Sequence, residues 1–92
     1  MNTEELDPEL HEKLQILLKK KQEAVELEDY DAAMELKDIS DKLKLIGADL
    51  KMLEQRKQEA IGGEDFETAK SCKSQIDRLK SIVSNLDPLN PF

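Results

Sequence analysis

The side chains able to do chemistry are few and scattered. His11 is the sole histidine and Cys72 the sole cysteine. A metal centre needs three or four converging ligands, and a nucleophile needs a base within hydrogen-bond reach. This pair supplies neither. Asp38/Asp41 and Glu64/Asp65 are close carboxylate pairs. Such pairs serve acid–base chemistry when their surroundings push their pKa values apart, and no neighbouring residues mark a pocket that would do so. There is no glycine-rich phosphate cradle. The expectation is a chain that is not an enzyme, with no catalytic residue, no metal site and no cofactor. The basic run Lys19-Lys20-Lys21 either touches an acidic partner or forms a solvated helix face.

Composition points the same way. The chain has 92 residues, 21 acidic against 14 basic, a formal net charge of -7, and 3% aromatic residues. The acidic balance argues against binding nucleic acid through its phosphates, which needs a basic surface. No apolar run approaches the roughly 20 residues of a membrane span, so no membrane role is expected. The lone Cys excludes an internal disulfide framework and fits a reducing, cytoplasmic setting. The acidic start Met1-Asn2-Thr3-Glu4-Glu5 resembles neither a secretory signal nor a transit peptide.

The elements follow from punctuation and period. Asp7-Pro8 reads as an N-cap with Pro at the first helical position. Gly62-Gly63 suits a helix end, and Pro88 and Pro91 stop a helix. Between these points helix-forming residues dominate. Leu10, Leu14 and Leu17 form one stripe; Ala32, Leu36, Ile39, Leu43, Ile46, Leu50 and Leu53 a second; Ala69, Cys72, Ile76, Leu79 and Val83 a third. Alternating steps of three and four mark helices packed along a seam. Cys72 then reads as a small packed residue. Lys21 and Lys57 share the seam phase, where a charge either sets register or lies on a snorkelling stem.

The fold expected is all-α: an elongated three-helix antiparallel coiled coil, two hairpins sharing a long middle helix. The helices should run over about 8–28, 30–61 and 65–86. An acidic tail (1–7) precedes this domain (8–86), and a Pro-containing tail (87–92) follows it. Gly47 leaves room for a kink in the middle helix.

The hairpins are copies. A shift of 36 positions aligns residues 21–46 with 57–82 without gaps, with 12 of 26 pairs identical. Repeat 1 covers about 10–46 and repeat 2 about 50–82. The turn Glu28-Asp29-Tyr30-Asp31, with Ala33 beyond it, matches Glu64-Asp65-Phe66-Glu67 with Ala69. Asp29 and Asp65 are expected to cap the following helices. Tyr30 and Phe66 are expected to close their hairpins by packing between the helix ends, and the small Ala33 and Ala69 to allow close approach. The glycines at 62 and 63, where the first repeat has Glu26-Leu27, are expected to loosen the second turn. The two turns should lie at opposite ends, on the order of 50 Å apart. Two-helix ends leave apolar side chains partly uncovered, which invites a second copy or another protein.

The run Lys21-Gln22-Glu23-Ala24-Val25 with Glu28-Asp29-Tyr30-Asp31-Ala32-Ala33 and Leu36-Lys37-Asp38 resembles the UVR motif, a helical hairpin for protein contact in bacterial excision-repair subunits and some Clp-type chaperone systems. Two tandem copies, with Leu43, Gly47, Arg56-Lys57, Ala60, Glu64-Asp65-Phe66 and Ala69-Lys70 in place, are similar over residues 7–84 to the coiled-coil segment of the 104-kDa centrosomal protein family of ciliary tips and centrioles. That resemblance implies a scaffold or dimerisation segment of a microtubule-associated cytoskeletal protein, and a chain that is either a segment of a longer parent or a short paralogue. Its partners would be other proteins or a second copy through the seam, with tubulin engaged by other domains. The bacterial-type adaptor, docking a nuclease or chaperone, is the alternative. Asn90-Pro91-Phe92 matches the tripeptide that EH domains of endocytic adaptors read, and offers a third, targeting role.

Overall fold

The computed structural model describes residues 7–90. Three helices follow one another: α1 (Pro8–Glu26), α2 (Tyr30–Gly62) and α3 (Phe66–Asn85). Each starts where an aspartate can satisfy its free N–H groups. Asp7 accepts from the Glu9 N–H, Asp29 from Ala32 and Asp65 from Thr68, each at 3.2 Å. Pro8 takes the first helical position, where no N–H is needed. α2 runs unbroken through Gly47, which is buried.

The chain folds as an elongated all-α body of 54 × 25 × 16 Å. α1 packs along α2 from the first turn to the level of Leu50 and Glu54, and α3 from the second turn back to Ile39 and Leu43, so the two overlap at the middle of α2, where they meet only briefly. Hairpin 1 therefore comprises α1 and the start of α2, and hairpin 2 the rest of α2 with α3. α2 is 33 residues long, which at 1.5 Å per residue puts the two turns about 50 Å apart. The helices meet where α1 begins and α3 ends. There Lys13 Nζ donates to the carbonyls of Val83 and Ser84, and the Ser84 hydroxyl donates to Glu9 at 2.7 Å.

The expected seam forms one core. Leu10, Leu14, Leu17, Leu36, Leu43, Leu50, Leu53, Cys72, Ile76 and Val83 are buried, with Ile39, Ile46 and Leu79 packed against them. Full burial of a leucine contributes about 2 kcal/mol, so this stripe is the main source of stability. α2 needs a wider buried face than its neighbours because it serves both. Ile39 and Ile46 face the end of α3. Ser40 and Gly47 are buried on α2 as well. Ser40 satisfies its hydroxyl by donating to the Leu36 carbonyl at 2.8 Å. Apolar periodicity alone does not mark these two small residues.

After α3 the chain does not leave the body. Leu86 is extended, packs against the core, and is followed by a buried Pro88. Leu89 and Asn90 reach the α1–α2 hairpin, sharing a cleft with Lys20, Ala24, Leu27 and Leu36. The Pro-containing segment thus continues the cover that α3 gives hairpin 1.

Candidate protein-interaction surface

The two hairpin tips are built alike, atom for atom in the backbone. At the first, the Glu28 N–H donates to the Val25 carbonyl at 3.0 Å and the Asp29 N–H to Ala24 at 2.8 Å. At the second, Glu64 donates to Ile61 at 3.0 Å and Asp65 to Ala60 at 2.8 Å. This pair of bonds is the Schellman ending of a helix, which requires one residue in the left-handed region. Glu28 and Glu64 occupy it, both at φ 59°. Glycine is the residue that takes such a φ without cost, yet the two glycines of the second tip stand just before it, at the last helical position and the cap. Gly62-Gly63 therefore ends the helix as expected but does not supply the left-handed residue. It does not loosen the turn either, since the second tip keeps the bonds and φ of the first.

The aromatic residues do not close the hairpins. Tyr30 is 57% exposed and Phe66 62%. Each is the first residue of its helix. The backbone bonds and the aspartate cap hold the turn, so the ring is left on the outer surface. Each tip also exposes an aliphatic side chain near the end of the preceding helix, Val25 at the first and Ile61 at the second. Glu28, Asp31, Glu64 and Glu67 are exposed around them. Ala33 is buried and Ala69 half-buried, as close helix approach requires. Each tip thus exposes an aliphatic and an aromatic side chain among acidic ones.

Electrostatics repeat as well. Lys37 bonds Asp41 at 2.8 Å, and 36 residues on Lys73 bonds Asp77 at 2.7 Å. The hydrogen bond from lysine holds each aspartate below the usual carboxylate range and raises each lysine. Asp65 is lowered chiefly by the Thr68 hydroxyl, which donates to it at 2.6 Å, and then by the Thr68 N–H. Lys57, in seam phase, turns aside to Glu54 at 3.2 Å, so its stem crosses the seam and its charge does not sit in it.

Cys72 is a buried free thiol, in the packing position expected of it. His11 is half-buried at the start of α1. Among the described residues no three metal-ligating side chains converge. None of the described helices is long and apolar enough to cross a membrane. Of the tripeptide Asn90-Pro91-Phe92, Asn90 donates its N–H to Asp87 at 3.2 Å, while Pro91 and Phe92 lie outside the described residues. Comparison of the chain with protein-family models, with curated proteins and with solved structures gives no match.

Proposed function

We propose that this chain is a non-catalytic scaffold that binds other proteins, and that its two tips are paired contact points at the ends of a rod. The observation that carries this reading is the duplication of an exposed feature. Packing explains why Ala24/Ala60 and Leu43/Leu79 recur between the repeats. It does not explain why an aliphatic–aromatic pair, Val25/Tyr30 and Ile61/Phe66, recurs in solvent. Exposed apolar groups of this kind are a cost in water unless a partner covers them. The resemblance to the UVR-type segment of the centrosomal family supports placing the parent protein at a ciliary tip or centriole, as a microtubule-associated scaffold.

The test is proximity labelling in ciliated cells, paired with size-exclusion chromatography and light scattering on the purified chain. The expected outcome is a set of labelled proteins, or a dimer, that is lost in the double variant Tyr30→Ser/Phe66→Ser and only weakened in either single variant. A monomer whose labelled set is identical in the double variant overturns the reading.

A further inference from the structure

The tripeptide Leu-Asp-Pro stands at both edges of the helical body, as Leu6-Asp7-Pro8 before α1 and as Leu86-Asp87-Pro88 after α3. Its aspartate bonds alike in both places. Asp7 accepts from the N–H of Glu9, two residues on, at 3.2 Å, and Asp87 from the N–H of Leu89 at 3.0 Å. Where the tripeptide follows α3, its leucine turns inward. Leu86 packs against the core and shares a cleft with Ile39, Leu43 and Ile46. Where it precedes α1, the described residues begin at Asp7, so Leu6 lies outside them.

Asp7 and Pro8 line a cleft of about 490 Å³ with Leu50, Lys51 and Glu54 of α2 and Lys80 of α3. α1 runs antiparallel to α2, so the chain followed back from Pro8 heads past this cleft toward the second tip. Asp7 has φ -57° and ψ 123°, an extended backbone, so the helix does not continue backward through it. The chain before it is long enough to cross the cleft. Six extended residues reach up to about 20 Å, whereas α2 has only about 10 Å left beyond Gln55.

Charge favours the same occupant. Residues 1–6 hold Glu4 and Glu5 and no basic side chain. The cleft offers Lys51 from α2 and Lys80 from α3, both exposed. Its two acids are engaged elsewhere: Glu54 pairs with Lys57 at 3.2 Å, and Asp7 caps α1. Among the described residues Lys80 makes no ion pair or hydrogen bond, and its charge acts at longer range on Asp77.

We infer that this cleft is the docking site of the chain's own residues 1–6, which strap α2 to α3 across it. Leu6 lies over Leu50 as Leu86 lies beside Leu43. Glu4 and Glu5 meet Lys51 and Lys80, one from each wall. Each hairpin is then covered by one Leu-Asp-Pro segment, hairpin 1 by the segment after α3 and hairpin 2 by the segment before α1. The tips take no part, so the strap and the scaffold reading stand or fall separately.

The test places a nitroxide on the full chain through Thr3→Cys and reads the broadening of backbone amide signals by NMR. Cys72 is sealed in the core and stays in place; the chain without Thr3→Cys, treated alike, is the blank. The expected result is strong broadening at Lys51, Gln55 and Lys80 and none at Glu28 of the first tip. Glu4→Lys/Glu5→Lys should reduce the broadening severalfold, as should Leu6→Ser. Adding Lys51→Glu/Lys80→Glu to Glu4→Lys/Glu5→Lys should restore it. All of these positions are exposed or lie outside the helices, and each variant should melt as one folded species. Broadening that is absent, or equal at both tips, overturns the inference. So does broadening that survives both Glu4→Lys/Glu5→Lys and Leu6→Ser, or that the fourfold charge exchange fails to restore. A mixture of nitroxide-bearing chain with isotope-labelled, nitroxide-free chain separates the remaining occupant: broadening passed between chains would mean that the segment docks on a second copy, and would overturn the strap within one chain.

Discussion

Hairpin 1 and hairpin 2 share a period, a turn and an ion pair, but their third elements differ: the end of α3 and the tail lie against hairpin 1, whereas only the start of α1 reaches hairpin 2, where Asp7 and Pro8 share a cleft with Leu50 and Lys80. Leu17 and its repeat partner Leu53 are both buried. Leu17 is sealed from solvent, whereas Leu53 keeps 6% exposure beside Met52, which is 53% exposed. The comparison teaches that duplication copied the two-helix unit without copying its surroundings. Stability should therefore be unevenly shared, with the first hairpin the more resistant to opening.

The largest expected effect tests that difference. Leu17→Ala removes a side chain surrounded on all sides, and should destabilise by about 3–4 kcal/mol. Leu53→Ala, beside an open groove that can collapse or admit water, should lie near the lower end of the range, about 2 kcal/mol. Urea unfolding of both variants measures the gap. Equal losses would mean that the third layer adds nothing to hairpin 1.

The cover itself can be broken next. Lys13→Met removes the ammonium that holds the Val83 and Ser84 carbonyls while keeping much of its stem. The loss should be about 1–2 kcal/mol, since bonds to a charged donor exceed neutral ones. Hydrogen exchange should speed up at the end of α3 and around Leu14–Leu17, and stay unchanged at the second tip. An even increase across both hairpins would show one cooperative unit.

Much of this architecture was legible in the residues. Caps at Asp29 and Asp65 and the breaker at Pro88 place the helix ends within two residues, because capping and ring closure are local effects. The seam follows from leucine spacing. What escaped detection depends on three-dimensional surroundings. Ser40 and Gly47 are small rather than apolar, so a hydropathy stripe passes over them although both are buried. Pro88 marks where a helix ends but carries no sign of where the tail goes next. The exposure of Tyr30 and Phe66 depends on the turn's being closed by backbone bonds, which composition does not encode.

The tips offer a smaller and opposite effect. Glu28 and Glu64 each hold a left-handed backbone that disfavours any side chain with a Cβ. Replacing either by Gly relieves that strain but adds freedom to the unfolded chain, so the net gain should be about 0.5–1 kcal/mol. Because both residues have φ 59° and the same two bonds, the two gains should match and add. Thermal melts of the single and double variants measure this. A gain at Glu28 alone would mean that the glycines at 62 and 63 already relax the second turn.

The smallest effect is a pH dependence. Asp41, Asp77 and Asp65 all titrate below the usual carboxylate range. Folded pKa values lie below unfolded ones, so the unfolded chain binds protons first as pH falls. Their contribution is complete above about pH 4 and is lost as pH drops through the folded values. Lys37 and Lys73 act in the opposite sense: raised in the folded state, they stabilise below about pH 10 and lose that contribution as pH climbs through their folded values. All five are solvent-exposed, so screening keeps each contribution small. Asp77→Asn should therefore flatten the acid limb of the stability curve slightly, and Asp41→Asn should do so to the same degree. The two pairs have the same spacing and nearly the same length, which makes them an internal control. A markedly larger effect at Asp41 would assign it to Lys21 and Lys44, whose charges also act on that carboxylate, rather than to the shared Lys37/Lys73 design.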